Sequence, residues 1–269
     1  MRDATIPSRI RLEALAVSTA EQAAKIVSVG YGHASSIGTK SSATDVVTQT
    51  DLDSEARIRE LLKEATPGCG LIGEEGGSIG TDQRLQWIID PLDGTVNFLY
   101  GVPIFAVSIA AALDGEIVAG AVVDGLRNET YSSFLGGGSR CNGVELNGSS
   151  CSELSAALVA TGFSYTPRLR ASQARIVADL LPVARDIRCF GSAALHLCWA
   201  ASGRIDAYFE RDTKIWDWAA GTLIAREAGL SVDFPCPEND SLVLAAPLPL
   251  LSELRALTYV GRSDTGSGR

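Results

Sequence analysis

Asp90 and Asp93 stand three residues apart at the end of Trp87-Ile88-Ile89-Asp90-Pro91-Leu92-Asp93-Gly94-Thr95, where an apolar run meets two carboxylates, a proline, a glycine and a hydroxyl. Trp87, Ile88 and Ile89 favour a buried strand, so Asp90 arrives at its C-terminal edge on a rigid support. Pro91 fixes the backbone and is expected to stop the strand ladder. The two carboxylates are close enough to share one site, and Gly94 permits the tight backbone approach that a bound phosphate needs. Hard oxygen ligands on a tight loop favour Mg²⁺ over zinc or copper. The same residues also read as an Asx turn after a buried strand, because Asp-Gly is common in turns.

Other acidic positions offer to complete such a site. Leu71-Ile72-Gly73-Glu74-Glu75-Gly76-Gly77 repeats the design: a short apolar strand releases adjacent carboxylates into a glycine-rich loop. The stretch from Lys40 to Asp51 ends just before a helix whose Ile58, Leu61, Leu62 and Ala65 recur at helical spacing. Asp51 is therefore either a functional acid or an N-cap. Ile215-Trp216-Asp217-Trp218-Ala219-Ala220-Gly221 puts an acid at the start of a small-residue helix, with the same alternative of capping or dipole compensation.

Together these motifs match a family. Through Glu74-Glu75, the run Trp87 to Phe98, Trp216-Asp217, the Asp45 to Asp51 segment and Gly191-Ser192-Ala193-Ala194, the chain resembles the inositol monophosphatase family of metal-dependent phosphatases. The resemblance runs from about residue 8 to residue 258, with the motifs in the family's order. It implies that Glu74, Asp90 and the Leu92 carbonyl hold a first Mg²⁺, that Asp90, Asp93 and Asp217 hold a second, and that a third, weaker ion leans on Glu74 and water. Thr95, paired with Asp51, would orient and help deprotonate the attacking water, which makes Asp51, Glu74 and Thr95 the catalytic set. Gly94 and Thr95 would offer backbone N–H groups to the phosphate at a helix N-terminus, beside Asp93 and Asp217. Substrate hydroxyls would meet Glu210 and the turn formed by Gly191, Ser192 and Ala193. Leu92 stands where isoleucine is commoner in the family, which matters little where a carbonyl coordinates.

Competing readings are weaker. The Asp-Gly-Thr triplet also occurs in phosphatases of the haloacid dehalogenase type, whose nucleophilic aspartate would fall at Pro91, and proline cannot attack phosphorus. Gly136 to Gly143 lacks the strand, Lys and Ser/Thr pattern of a nucleotide loop and reads as a turn with an adjoining hairpin. His196, among Ala193, Ala194, Leu197 and Cys198, reads as a packed histidine; His33 has no nearby partner in sequence, and neither has zinc-motif spacing.

The elements that must position these residues follow from periodicity. An amphipathic helix is expected from about Ser8 to Val29, a helix over 52–65, strands near 71 and 87, a hairpin from Phe105 to Val123 turning at Asp114-Gly115-Glu116, and a strand near 130. A second group alternates: strand Ala156 to Thr161, helix Arg168 to Leu181, helix Ala193 to Ala201, strand Ile205 to Glu210, helix 217–229 and a strand near Leu242. Such alternation suggests a sheet covered on both faces. The resemblance implies an α/β (α+β) fold, a layered αβαβα sandwich with lobes of about 8–148 and 149–258 and the metals between them. The tail from Gly261 to Arg269 reads as disordered.

The 269 residues carry a net charge of −9, with 46% hydrophobic and 20% charged residues. This balance supports a sizeable core and argues against nucleic-acid and anionic-membrane surfaces. It also means that phosphate substrates are repelled unless cations bind first. Cys69, Cys141, Cys151, Cys189, Cys198 and Cys236 show no CxxC spacing and follow no secretory leader, so reduced thiols in a cytoplasmic protein are expected. The leading expectation is a Mg²⁺-dependent phosphomonoesterase acting on inositol monophosphate or a related polyol phosphate. Relatives act on histidinol phosphate, fructose bisphosphate or phosphoadenosine phosphate, and some bacterial relatives act in transcription, so a regulatory protein on this fold stays open. Kinship also implies inhibition by lithium and a homodimer.

Overall fold

The computed structural model describes residues 6–33, 36–39, 46–80, 83–234 and 242–259; the tail 261–269, Cys236 and residues 40–45 lie outside them. Helix α1 (Arg9–Gly30) starts at Ser8, whose side chain accepts from the Arg11 amide at 3.4 Å. It buries Leu12, Ala16, Ala20, Ala23, Ala24 and Val27, mostly small residues that let it lie close to a sheet. A short antiparallel pair, β1 (Ser36–Thr39) and β2 (Val46–Thr48), leads into α2 (Gln49–Ala65).

Strands β3 (Gly70–Gly73), β4 (Gly77–Ile79), β5 (Leu85–Asp93), β6 (Ala106–Leu113), β7 (Glu116–Asp124), β8 (Glu129–Phe134), β9 (Ser139–Cys141) and β10 (Val144–Glu145) form one sheet in the order β10-β9-β8-β7-β6-β5-β3-β4. Asp114 and Gly115 both take positive φ, 50° and 86°, the two-residue hairpin geometry that suits strand twist, so the turn expected between β6 and β7 forms there. A five-residue helix, α3 (Thr95–Leu99), follows β5.

The second sheet has the order β12-β11-β13-β15-β14, from β11 (Leu158–Thr161), β12 (Asp186–Arg188), β13 (Ala207–Arg211), β14 (Ser231–Asp233) and β15 (Leu242–Ala246). Between these strands run α4 (Pro167–Leu180), α5 (Ala193–Ala201) and α6 (Ile215–Glu227), and α7 (Leu248–Thr258) closes the described chain. Side chains alternate along each strand, so each sheet serves two cores. Trp87 and Ile89 of β5 pack with α1 and α2, whereas Ile88 joins α5 and α6. Val243 and Ala245 of β15 face α5 and α6, and Leu242, Leu244 and Ala246 face α4 and α7. The layers therefore read α1/α2, large sheet, α5/α6, small sheet, α4/α7, the expected αβαβα sandwich. Every residue of α5 is buried, as a helix sandwiched between two sheets requires.

Several local expectations are corrected. Pro91 interrupts the ladder without ending the strand: Asp90 pairs with Ser108 and Asp93 with Ala106, with a register shift between them. A proline supplies no N–H for the missing rung, and a bulge absorbs it. Asp51 and Asp217 are not N-caps; α2 starts at Gln49 and α6 at Ile215, so each acid is the third residue of its helix. Strands β12 and β14, three residues each, are too short to show a period. The start of α7 was hidden by Pro247 and Pro249, which pre-set its first turn.

Candidate active site

The backbone brings the expected acids together from four places. Glu74 leaves the end of β3, where its amide donates to the Ile89 carbonyl at 3.3 Å. Gly73 pairs with Ile89 across the parallel β3/β5 ladder, so Glu74 and Asp90 leave neighbouring strands side by side. Asp90 is buried and its Oδ1 accepts from the Leu92 amide at 3.0 Å. The Asx turn is thus real, and it orients an acid of the site instead of excluding one.

Asp93 connects the large sheet to the start of α5. Its Oδ2 accepts from the Ser192 hydroxyl at 2.6 Å and from the Ala194 amide at 2.7 Å, and the Ala193 amide also favours its ionised form. Burial nevertheless wins, and raises its pKa from 3.8 to about 6. The Gly191 turn that supplies these donors is tied to α3 by Asn97, whose amide nitrogen donates to the Phe190 carbonyl at 2.6 Å and the Ile104 carbonyl at 2.8 Å. Gly94, at φ 102°, needs glycine twice over: its backbone is left-handed, and a Cβ there would lie 3.0 Å from the Ile104 carbonyl oxygen and 3.2 Å from that of Gly191.

Asp217 accepts from the Lys214 amide at 2.6 Å. Its pKa is driven well up, first by burial and then by the charges of Asp93, Glu74 and Glu210. Glu210, on β13, is raised to about 8, again first by burial, with Asp93 adding to it and the Tyr208 hydroxyl, 2.9 Å away, lowering it. Gly162 passes so close that a Cβ would meet the Glu210 carboxylate at 2.2 Å.

Thr95 lies at the first turn of α3, buried, with its Oγ1 2.9 Å from Asp51 Oδ1 and 3.0 Å from the Leu92 carbonyl. A hydroxyl has one proton, so it donates to one of these acceptors at a time. The other oxygen of Asp51 takes the Thr48 amide at 2.8 Å and the Thr48 hydroxyl in a short hydrogen bond. The contacts bring Asp51 to Thr95, Glu74 beside Asp90, and Asp93 to Ser192 and Ala194, with Asp217 and Glu210 near enough to feel the charge of Asp93.

Among the described residues no three such side chains are drawn about one point tightly enough to make a closed cation cage. Asp217 is nonetheless near enough to Asp93, Glu74 and Glu210 for their charges to raise it. Desolvated carboxylates near other acids are stabilised by a hard cation, and oxygen donors of this kind fit a divalent ion such as Mg²⁺.

Some contributors were not apparent from sequence. Ser54 donates to the Pro91 carbonyl at 2.9 Å, and Glu55 accepts from the Glu75 and Gly76 amides, both at 2.8 Å. The available signal was spacing, since 54 and 55 lie three and four residues after Asp51 on one helix face. The readings set aside have structural explanations. Glu227 fills the Gly136–Gly138 loop, its carboxylate accepting from the Gly136 and Gly138 amides at 3.0 and 3.1 Å. His196 is buried, accepts from the Phe190 amide at 3.0 Å, and is held neutral because burial lowers its pKa to about 3. Cys69, Cys141, Cys151, Cys189 and Cys198 carry free thiols.

A model of the inositol monophosphatase family matches residues 10–256. The inositol-1-monophosphatase SuhB of Mycobacterium tuberculosis is 44% identical over 232 residues, covering 80% of this chain and 78% of that protein. The protein of Haemophilus influenzae named Nus factor SuhB is 40% identical over 247 residues, covering 89% and 92%. The crystal structure of the extragenic suppressor protein SuhB from Bartonella henselae superposes with a TM-score of 0.87 at 32% identity, over 94% of this chain and 100% of that one. A match of this extent, carried by these residues in this arrangement, means that the chain belongs to the inositol monophosphatase family.

Proposed function

We propose that this protein is a Mg²⁺-dependent phosphomonoesterase that hydrolyses inositol monophosphate or a related polyol phosphate. The observation that carries the reading is the placement of Glu74 beside Asp90 at the ends of neighbouring strands, with Asp93 raised to about 6 by burial and Asp217 driven well up first by burial and then by the charges of Asp93, Glu74 and Glu210. Glu74, Asp90 and the Leu92 carbonyl would hold one ion, Asp90, Asp93 and Asp217 a second, and Glu74 a third, weaker one. Bound Mg²⁺ supplies an acidified water and neutralises phosphate oxygens.

The chain's own residues do the rest. While the Thr95 hydroxyl donates to Asp51 Oδ1, its oxygen keeps lone pairs that can accept a proton from an attacking water, and Asp51 takes the proton that Thr95 releases. The Thr48 hydroxyl and amide hold Asp51 in place for this. Gly94 and Thr95 present backbone N–H groups to the phosphate. Ser192 and the Ala193 and Ala194 amides fix Asp93. Glu210, steadied by Tyr208, exchanges hydrogen bonds with neighbouring substrate hydroxyls, which favours a polyol over an isolated alcohol. Lithium inhibition, a homodimer and a cytoplasmic location belong to the same reading; the free thiols suit a reducing compartment, and among the described residues no helix is long and apolar enough to cross a membrane.

The test is phosphate release from a panel of esters, including inositol monophosphate, histidinol phosphate, fructose bisphosphate and phosphoadenosine phosphate, with Mg²⁺ titrated for wild type and Asp93→Asn. Turnover of inositol monophosphate that depends on Mg²⁺ and is lost in Asp93→Asn is expected; unchanged turnover in the mutant removes the site assignment. A second reading, a regulatory role like that named for the Haemophilus Nus factor SuhB, does not require the acids. It predicts that Asp93→Asn keeps that role.

A further inference from the structure

Helix α2 presents three buried polar side chains on one face. Asp51, Ser54 and Glu55 are 0%, 0% and 2% exposed, and their spacing of three and four residues stacks them on one side. Each reaches a different part of the site: Asp51 the Thr95 hydroxyl, Ser54 the Pro91 carbonyl between Asp90 and Leu92, and Glu55 the turn immediately after Glu74.

The contacts of Glu55 are the most extensive of the three. Its Oε2 accepts from the Glu75 amide at 2.8 Å, and its Oε1 accepts from the Gly76 amide at 2.8 Å and from Arg59 Nε at 2.6 Å. Arg59, one turn along, also donates through Nη2 to the Gly77 carbonyl at 2.5 Å. The turn is moulded around this pair. A Cβ on Gly73 would lie 2.4 Å from Glu55 Oε1, and one on Gly76 would lie 2.7 Å from the same atom and 2.8 Å from Arg59 Nε. The glycines flanking Glu74-Glu75 are thus needed to admit a carboxylate from another element. A charge at 2% exposure is costly unless fully hydrogen-bonded, and these partners compensate it.

We propose that Glu55, locked by Arg59, is a positioning residue for the metal site: it sets the direction in which the β3–β4 turn delivers Glu74, and through Glu74 it sets Mg²⁺ affinity. The inference rests on the phosphatase reading for the role of Glu74. Residues that orient a metal ligand without touching the ion affect affinity by about 10- to 100-fold. Glu55→Gln replaces one acceptor oxygen by an NH₂ that faces donors, so the turn loses its anchor while side-chain volume is kept.

The decisive measurement is cation binding by isothermal titration, with Mg²⁺ and with Mn²⁺ as a second probe, alongside the Mg²⁺ dependence of phosphate release well below the melting temperature. Glu55→Gln is expected to weaken binding by about 10-fold or more, with activity recovered by raising Mg²⁺. A role confined to stability would lower the melting temperature and leave the titration unmoved, and that result overturns the proposal. Should Glu55→Gln fail to fold, Arg59→Lys decides: it keeps the charge but loses the planar fork to Gly77, and cation affinity equal to wild type in that variant overturns the proposal equally. Wild-type protein that binds Mg²⁺ but releases no phosphate would sink the phosphatase reading while the titrations still judge Glu55.

Discussion

Helices α2 and α6 begin with the same device, an aspartate at the third position whose carboxylate turns back to the amide of the residue before the helix. Their hydrogen-bond surroundings differ. Asp51 is enclosed by the Thr48 amide and the Thr48 and Thr95 hydroxyls, all donors. Asp217 takes the Lys214 amide and otherwise faces the charges of Asp93, Glu74 and Glu210. The residue preceding each helix explains part of the contrast, since the Thr48 hydroxyl can return a hydrogen bond and the Lys214 side chain has no acceptor or hydroxyl to do so. Two acids in one local motif thus separate into a satisfied acid that can relay a proton and a frustrated acid that calls for a cation.

The sharpest way to break this contrast is to neutralise each acid with an isosteric amide. Asp217→Asn keeps an acceptor for the Lys214 amide and removes a buried charge, so we expect Mg²⁺-dependent turnover to fall by at least about 100-fold while the melting temperature in chelator rises. Asp51→Asn puts an NH₂ against hydroxyls and an amide, so both turnover and melting temperature should fall. Opposite shifts in melting temperature are the signature; shifts of the same sign would show that the two acids are equivalent. Next, Thr95→Ala should cost about 100-fold in kcat by removing the relay hydroxyl, and Thr95→Ser should restore most of it; an alanine variant with wild-type kcat would exclude the relay.

The pH dependence of stability extends the comparison to the whole acidic cluster. Folded-state values of about 6 for Asp93 and about 8 for Glu210 lie above their ordinary 3.8 and 4.5. The folded protein therefore holds these protons more tightly than the unfolded chain, and their contribution is intact below about pH 4 and lost as pH rises towards 6 and then 8. For Glu210 the loss is on the order of 5 kcal/mol at most. Melting in chelator from pH 4.5 to 8.5 should show this decline, and Glu210→Gln or added Mg²⁺ should flatten it; a flat curve for metal-free wild type would contradict the frustrated cluster. The smallest effect concerns the cap alone. Thr48→Ala should cost about 1 kcal/mol of stability, measured by denaturant unfolding, with no effect expected from Lys214→Ala on the backbone bond to Asp217.

Glu74, Asp90 and Asp93 could be recognised in the sequence because each follows an apolar run that breaks into glycine or proline, whereas Asp51 and Asp217 read equally as helix caps and were picked out only by the resemblance to a family. The two helix starts were misread by three and two residues, at Gln49 and Ile215, because Thr48 and Lys214, the residues that precede the helices, carry little periodic signal. The ladder break at Pro91 was legible, but its repair by a bulge was not, since the repair depends on Ser108 and Ala106 across β6. Ser54, Glu55 and Asn97 went unnoticed because polar residues on a helix ordinarily face water, and only the position of a neighbouring loop reveals that Ser54 and Glu55 are buried and Asn97 is half-buried.

Residue order was therefore sufficient to decide which groups are chemically able to hold a cation and move a proton, and which strands and helices carry them, because those properties depend on side-chain type and short-range period. Which of those groups meet, and which acid is satisfied and which is frustrated, was decided only by tertiary structure. Desolvation and charge coupling depend on distance through space: Asp217 is raised first by burial and then by the charge of Asp93, 124 positions away along the chain.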